Sequence, residues 1–392
     1  MRILTFTALY PNKANPLQGI FIHQRAKHLA RRPGNSVEII APVAYFPSWL
    51  PVPRWRHLSD IPHEEEIDGL RVHHPRYPLL PGVSMPAHGM LMYLGSLSLA
   101  RRLHGENRFD CLDAHFLYPD GFAAVRIGRR LGLPVIVSAR GTDINLYPSF
   151  RLIRGMLRWT MSNAAGAIAV SADLKSKMIS LGTPETKVRV IPNGIDPERF
   201  QPLDARSARN QLGLPEEAVI AVSVGYLIES KGHHLLIAAI ARLLERFPKL
   251  RLYVIGDGVY RPRLEELVRA KQLQEHVFLM GNRPNKELSL WFNAADLSCL
   301  ISSREGWPNA VSEALACGTP VLATRAGGIP EIITSPERGM FVEPNVDSIA
   351  AGLEQALTKR WNREEIARYS RSRSWDTVAA EVEAFLKSKV RQ

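Results

Sequence analysis

The residues best suited to chemistry lie in one short run, Glu305-Gly306-Trp307-Pro308-Asn309-Ala310-Val311-Ser312-Glu313. Pro308 suits the first position of a helix, where its missing N–H is harmless, and Gly318 suits the stop, so a helix is predicted from Pro308 to about Cys317. Unpaired amides at such a start form an anion site ready for phosphate. Glu305 falls just outside that helix and Glu313 more than a turn inside it. A carboxylate gains nothing from a phosphate beside it, so both glutamates suit hydroxyl donors of the kind that sugars and ribose present. A diphosphate between two polyols is the chemistry of a nucleotide sugar. On the residues alone a plainer reading stays open, with Glu305 an acidic residue favoured near a helix start and Glu313 a surface charge.

Further polar or glycine positions follow short apolar runs: Gly19, His115, Arg140-Gly141-Thr142-Asp143, Lys231 and Gly256-Asp257-Gly258. In open α/β sheets ligands bind beyond the carboxyl ends of the strands, so these are rim positions. A lone strand-end histidine serves structure as readily as catalysis. Several such segments converging on one rim favour a site.

The elements that must carry them are legible as β-branched runs at 3–7, 37–41, 70–74, 111–115, 135–139, 167–171 and 188–192, alternating with helical patterns such as 19–31 and 120–131. The rhythm restarts after Asp196-Pro197, with runs at 218–224, 252–255, 277–280, 297–301, 321–324 and 340–342. So many parallel strands exceed one open sheet. The predicted fold class is therefore α/β, two doubly wound, Rossmann-like parallel-sheet domains at 1–197 and 198–374 that face a cleft. Residues 375–392 add one amphipathic helix.

Composition narrows the partners. The 392 residues suffice for two cores, and three cysteines without a C-x-x-C pair speak against a disulfide framework or a cysteine-based zinc site and fit a reducing compartment. The opening apolar run stops at Tyr10-Pro11-Asn12, too soon for a signal peptide, and no stretch has the length of a transmembrane helix. Of the formal charge of +12, most lies in residues 1–200, which hold 25 Lys+Arg against 15 Asp+Glu. Such a field attracts anionic lipid, nucleic acid and phosphorylated substrates alike. With no zinc finger, RNP-like motif or Lys-rich tail, nucleic acid is not an expected partner. A dinucleotide oxidoreductase is disfavoured because Gly256-Asp257-Gly258 lacks the third glycine of G-x-G-x-x-G.

The segments SSREGWPNAVSEALACGTPVLATRAGGIPEII, RVIPNGIDPERFQP, VSVGYLIESKGHHLLIAAI, LYVIGDG, YPNKANPLQGIFIHQRAKHLA and DAHFLYPDGFAA span nearly the whole chain. Together they resemble the family 4 glycosyltransferases of the GT-B fold. The resemblance implies two Rossmann-like domains with a C-terminal helix crossing back toward the first, and transfer from a nucleotide-diphosphate sugar with retention of anomeric configuration, without metal or cofactor. It places Glu305 at the donor sugar hydroxyls, Glu313 at the ribose, the amides of Trp307, Pro308, Asn309 and Ala310 around sugar and phosphate, and Lys231 on the diphosphate. Gly19 then lets an N-terminal loop approach, Gly256 lines the donor site, His115 lies beside the reacting sugar, and Asp143 faces the acceptor. Two departures matter. Tyr226 stands where the family commonly has arginine, which removes one of two cations from the leaving group, and Arg140 stands where the family often has histidine. Arg140 is expected either to replace the missing cation or to bind the acceptor.

The excess charge coincides with the domain expected to bind the acceptor. Ser84 to Arg102 is rich in Leu and Met, and Arg151, Arg154 and Arg158 fall roughly on one helical face, so a peripheral enzyme on an anionic cytoplasmic leaflet, with a lipid-linked or polysaccharide acceptor, is expected. A core helix and a solvated basic face explain the same residues. An epimerase, a sugar-phosphate synthase or a non-catalytic nucleotide-sugar binder on the same scaffold remain alternatives.

Overall fold

Apolar runs become strands here because both faces of each sheet are covered. The computed structural model describes residues 1–45, 58–79 and 84–390. The chain divides into two compact units, Met1–Gly194 with the segment from Trp375 onward, and Ile195–Ser374. The first carries β1 (Arg2–Phe6), β2 (Ser36–Ile40), β3 (Val43–Tyr45), β4 (Glu64–Ile67), β5 (Leu70–His73), β6 (Arg76–Pro78), β7 (Cys111–His115), β8 (Val135–Ala139), β9 (Gly166–Ala169) and β10 (Val188–Val190). The second carries β11 (Val219–Val224), β12 (Leu250–Ile255), β13 (Val277–Gly281), β14 (Leu297–Leu300), β15 (Val321–Thr324) and β16 (Gly339–Val342).

The first unit's main sheet has the order β10-β9-β8-β7-β1-β2-β5-β4, parallel throughout except for β4 against β5. The second unit's sheet, β13-β12-β11-β14-β15-β16, is wholly parallel. Its pattern is that of a doubly wound nucleotide-binding sheet, with the order reversing between β11 and β14. Two-residue alternation sends Ile220, Val222, Tyr253 and Ile255 to one core and Ala221, Leu252 and Val254 to the other, which is why these strands read as continuous apolar runs.

Three strands, β3, β4 and β6, lie outside the runs read from the sequence. β4 is an edge strand that exposes Glu64 and Glu66, and it turns into β5 through Asp68 and Gly69, both at positive φ. β3 and β6 form a separate short parallel pair. The helix Trp375–Val390 packs Val378, Ala379, Val382 and Leu386 into the same core as Ile3, Ile22 and Leu29. Its Glu383 accepts a hydrogen bond from Arg32 Nε at 2.5 Å. No helix among the described residues is long and apolar enough to cross a membrane.

Candidate functional site

Each unit gathers its polar chemistry where its strand order reverses, because there the loops after neighbouring strands run in opposite directions and leave a crevice. In the second unit these are the loops after β11 and β14. The turn Glu229–Lys231 follows β11, and the loop after β14 is tied to it by Ser303, whose N–H donates to Ser230 O at 2.8 Å. That tie brings two residues 74 positions apart together: Lys231 Nζ donates to Glu305 Oε1 at 2.5 Å. Both side chains are largely shielded from water, and a charge-assisted bond there is stronger than one in open solvent.

The helix expected from Pro308 begins one residue later, at Asn309, and runs to Ala316. Pro308 is its cap, with extended backbone (φ −75°, ψ 104°), because its fixed φ serves the entry to the first turn as well as the turn itself. No side chain caps this start, and the Val311 N–H closes the first turn by donating to Pro308 O at 3.1 Å. Trp307 packs against the core below, together with Ala310, and its indole N–H is buried without a hydrogen-bond partner. Glu313 sits more than a turn inside the helix and is half-buried. Burial pushes its carboxyl up to about 7, opposed by Arg199.

The rim beside it is backbone. Gly256 has φ +139°, and a Cβ at that position would lie 2.0 Å from Gly225 O, so only glycine allows the ends of β11 and β12 to meet there. Tyr226, in the cation's expected place, is 64% exposed.

In the first unit the order reverses between β1 and β7. Gly19 opens the helix Ile20–Arg31 at φ +65°, where a Cβ would fall 2.2 Å from Leu9 O; the loop from β1 therefore folds back directly on the helix start. His115 ends β7 and is buried. Arg140, just past β8, donates from Nη2 to His115 Nδ1 at 2.5 Å and from Nη1 to Asn193 Oδ1 at 2.9 Å.

Two residues expected on the acceptor side are buried in the first unit. Asp143 is fully buried, and its carboxylate accepts main-chain N–H groups from Leu117 (2.9 Å), Arg140 (3.1 Å) and Gly141 (2.8 Å). It holds the turn that carries Arg140. Arg140 is likewise buried, with both terminal nitrogens engaged inside the first unit.

Residues that sequence reasoning passed over complete this rim. Arg25 grips Asp113 through both carboxylate oxygens, at 2.7 and 2.8 Å. Tyr10 Oη and His23 Nδ1 are 2.8 Å apart, and His23 Nε2 lies 3.1 Å from Asp68 Oδ2, which anchors the loop leading to Gly19. A signal existed for the first pair, since Asp113 is a charge inside an otherwise apolar strand run.

Comparisons with known proteins agree with this architecture. A model of glycosyl transferases group 1 matches residues 204–373, and a model of Glycosyltransferase Family 4 matches residues 18–199. The chain is 28% identical over 375 residues to the "Putative teichuronic acid biosynthesis glycosyltransferase TuaC" of Bacillus subtilis, covering 93% of this chain and 90% of that one. It is 27% identical over 316 residues to the GDP-mannose-dependent alpha-(1-6)-phosphatidylinositol monomannoside mannosyltransferase of Mycolicibacterium smegmatis, covering 78% and 79%. Among solved structures, the sucrose-phosphate synthase of Thermosynechococcus elongatus superposes with a TM-score of 0.80 at 18% identity, over 99% of this chain and 98% of that one. Two doubly wound units, matched by these models over residues 18–199 and 204–373, make this chain a glycosyltransferase of the GT-B fold, related to the group 1 and family 4 glycosyltransferases.

Proposed function

We propose that the protein moves a hexose-type sugar from a nucleotide-diphosphate sugar to a hydroxyl of a lipid-linked or polysaccharide acceptor, with retention of anomeric configuration and without a metal. The observation that carries this reading is the meeting of Lys231 and Glu305 beside the start of the helix Asn309–Ala316 at the switch point of the second sheet. Lys231 and the first-turn amides supply fixed positive potential where the departing diphosphate gains charge. On donor binding Lys231 Nζ turns from Glu305 to the diphosphate, which frees the Glu305 carboxylate for the sugar hydroxyls. Glu313 takes the ribose hydroxyls, and Tyr226, Gly256 and the segment Trp307 to Ala310 frame the nucleotide and sugar. Gly19 lets the N-terminal loop approach the phosphates. The bond from the anomeric carbon to the phosphate oxygen breaks, and a bond to the acceptor oxygen forms on the same face. The acceptor proton passes to the leaving phosphate, so no protein nucleophile is required.

The acceptor class rests on the related teichuronic acid and phosphatidylinositol mannoside enzymes. An anionic cytoplasmic leaflet is the proposed place of work. The helix Arg151–Asn163 has Arg151, Leu152, Arg154 and Arg158 exposed, with Phe150 beside it, and contains no acidic residue. Co-sedimentation with anionic vesicles at low salt is expected for the wild type, and to fall severalfold when the three arginines are changed to glutamine. Equal recovery in the supernatant with and without vesicles would remove the membrane from the proposal.

Reaction with a panel of nucleotide-diphosphate sugars and polyprenyl- or glycan-linked acceptors tests the chemistry. Nuclear magnetic resonance of the product is expected to give the donor's own anomeric configuration, with a rate unchanged by a chelator. Inversion, or loss of turnover on chelation, would contradict the mechanism.

Glu313 adds a pH dependence. Its ionised form accepts from the ribose hydroxyls more strongly than the neutral carboxyl does, and the diphosphate of an intact nucleotide sugar does not titrate near neutrality. The donor's dissociation constant is therefore expected to fall as pH rises toward 7, at most about tenfold per unit for one linked proton, and to level off above it. Glu313→Gln should bind more weakly and lose that slope. A wild-type affinity flat from about pH 6 to 8 would contradict the assignment.

A further inference from the structure

Strand β7 carries a carboxylate in the middle of a parallel sheet, a costly place for a charge unless it is paired. Asp113 is buried there, and its partner is Arg25 from the helix Ile20–Arg31, also buried. Arg25 Nη2 reaches both oxygens, and Arg25 Nη1 donates to Ser138 Oγ on β8 at 2.9 Å. Two residues along β7, on the same face, His115 directs Nε2 at Asp113 Oδ2 across 3.5 Å. Its other nitrogen, Nδ1, meets Arg140 Nη2 at 2.5 Å.

A guanidinium can only donate hydrogen bonds. Nδ1 must therefore offer its lone pair to Arg140, and the single ring proton must sit on Nε2, facing Asp113. We propose that Arg25 and Asp113 are positioning residues that, with Arg140, lock His115 as the neutral Nε2–H tautomer, so that this histidine shapes the first unit's rim and takes no proton from the acceptor. The inference rests on the transferase reading above, where it decides between a base and a fixed dipole at this position.

The charge balance agrees. Two guanidiniums and one carboxylate leave a net positive charge around the ring. Burial first, and Arg140 next, push His115 down to about 3, against the pull of Asp113. Burial would raise the Asp113 carboxyl, but Arg25 and then His115 outweigh it and hold it at about 2. The charged groups facing the ring are thus Arg25 from the helix, Asp113 from its own strand and Arg140 from the loop after β8.

The test is a nitrogen–proton correlation spectrum of the His115 ring in the full-length protein without ligands. The expected wild-type pattern is a neutral ring protonated at Nε2, unchanged between about pH 5 and 8. In Arg25→Met the ring loses one of its two flanking cations and receives the whole pull of the Asp113 carboxylate, which then outweighs the Arg140 cap, so the ring should take a second proton at Nδ1, displace Arg140 and titrate as an imidazolium within that range. The turnover number at saturating donor should then gain an acid limb, falling about tenfold per pH unit below the new pKa. Arg25→Lys, which restores the charge, should return the neutral ring and the flat profile.

A wild-type ring protonated at Nδ1, or titrating between about pH 5 and 8, would overturn the proposal. So would an Arg25→Met protein whose spectrum and profile match wild type. If Arg25→Met does not fold, Asp113→Asn takes its place: the Nε2–H loses its carboxylate while Arg140 still caps Nδ1, so the ring should stay neutral but shift its Nε2 resonance, and an unshifted resonance would count against the lock. Because the ring is read in the free protein, a chain that turned over no nucleotide sugar would fail the transferase reading and leave this test standing.

Discussion

Lys231→Met is expected to lower the turnover number by about 10²–10³-fold, the usual cost of removing one preorganised group from a developing anion. Methionine keeps the apolar stem, so the change is mainly one of charge. The size of the effect follows from how few cations serve the donor. Tyr226 brings a phenol to the position where a second cation is expected, and Arg140 is engaged by His115 and Asn193 in the first unit. In the proposed site Lys231, beside the start of the helix Asn309–Ala316, is the cation that meets the diphosphate. Because charge on the leaving group grows toward the transition state, the loss should appear in the turnover number more than in KM. A rise in KM alone would mean that Lys231 binds ground state and transition state equally and does not drive departure. Restoring a cation with Tyr226→Arg in the Lys231→Met background should recover part of the rate, read as release of nucleoside diphosphate at saturating donor.

Glu305→Gln should cost about 10- to 100-fold in kcat/KM, in line with about 1.5–3 kcal/mol for hydrogen bonds to a charged group. Two effects contribute. The amide accepts more weakly from the sugar hydroxyls, and Lys231 loses the partner that holds it over the site in the empty protein, 2.5 Å from Oε1. The two can be separated with nucleoside diphosphate alone, which carries no sugar. Its affinity should be equal or higher in Glu305→Gln, since Lys231 no longer has to leave a carboxylate to meet the phosphates. Equal losses for the nucleoside diphosphate and its sugar would place Glu305 at the phosphates or in the fold instead of at the sugar.

The sequence made much of this architecture legible, and the exceptions have physical causes. Buried parallel strands are apolar on both faces, so runs such as those at 219–224 and 250–255 announce themselves without alternation. Edge strands obey other rules. β4 reads Glu-Glu-Glu-Ile because one side faces water, and only the Asp68-Gly69 pair, at φ 51° and 81°, marks the hairpin that pairs it with β5. In the site, local chemistry was legible and distant pairing was not. The Glu305 to Glu313 segment could be placed on a helix start because cap, proline and stop lie within a dozen residues. The contacts of Lys231 with Glu305 and of Arg25 with Asp113 span 74 and 88 residues, and chain topology alone decides them. Asp143 and Arg140 show the same limit: residue type suggested substrate contacts and gave no sign of the partners each has in the fold, main-chain amides in one case and His115 with Asn193 in the other.

The most direct measurement of the central claim is a thermal-shift panel of nucleoside diphosphates and their sugars against the wild type and Glu305→Ala. A ligand at 100 times its dissociation constant stabilises by about 2.7 kcal/mol, enough to resolve one selective donor from the rest. The expected result is a single sugar nucleotide that stabilises the wild type beyond its parent nucleoside diphosphate, with the sugar's share lost in Glu305→Ala and the nucleotide's share kept. No stabilisation by any nucleotide sugar, or a shift that Glu305→Ala leaves intact, would contradict a donor site built on Lys231, Glu305 and the helix at Asn309.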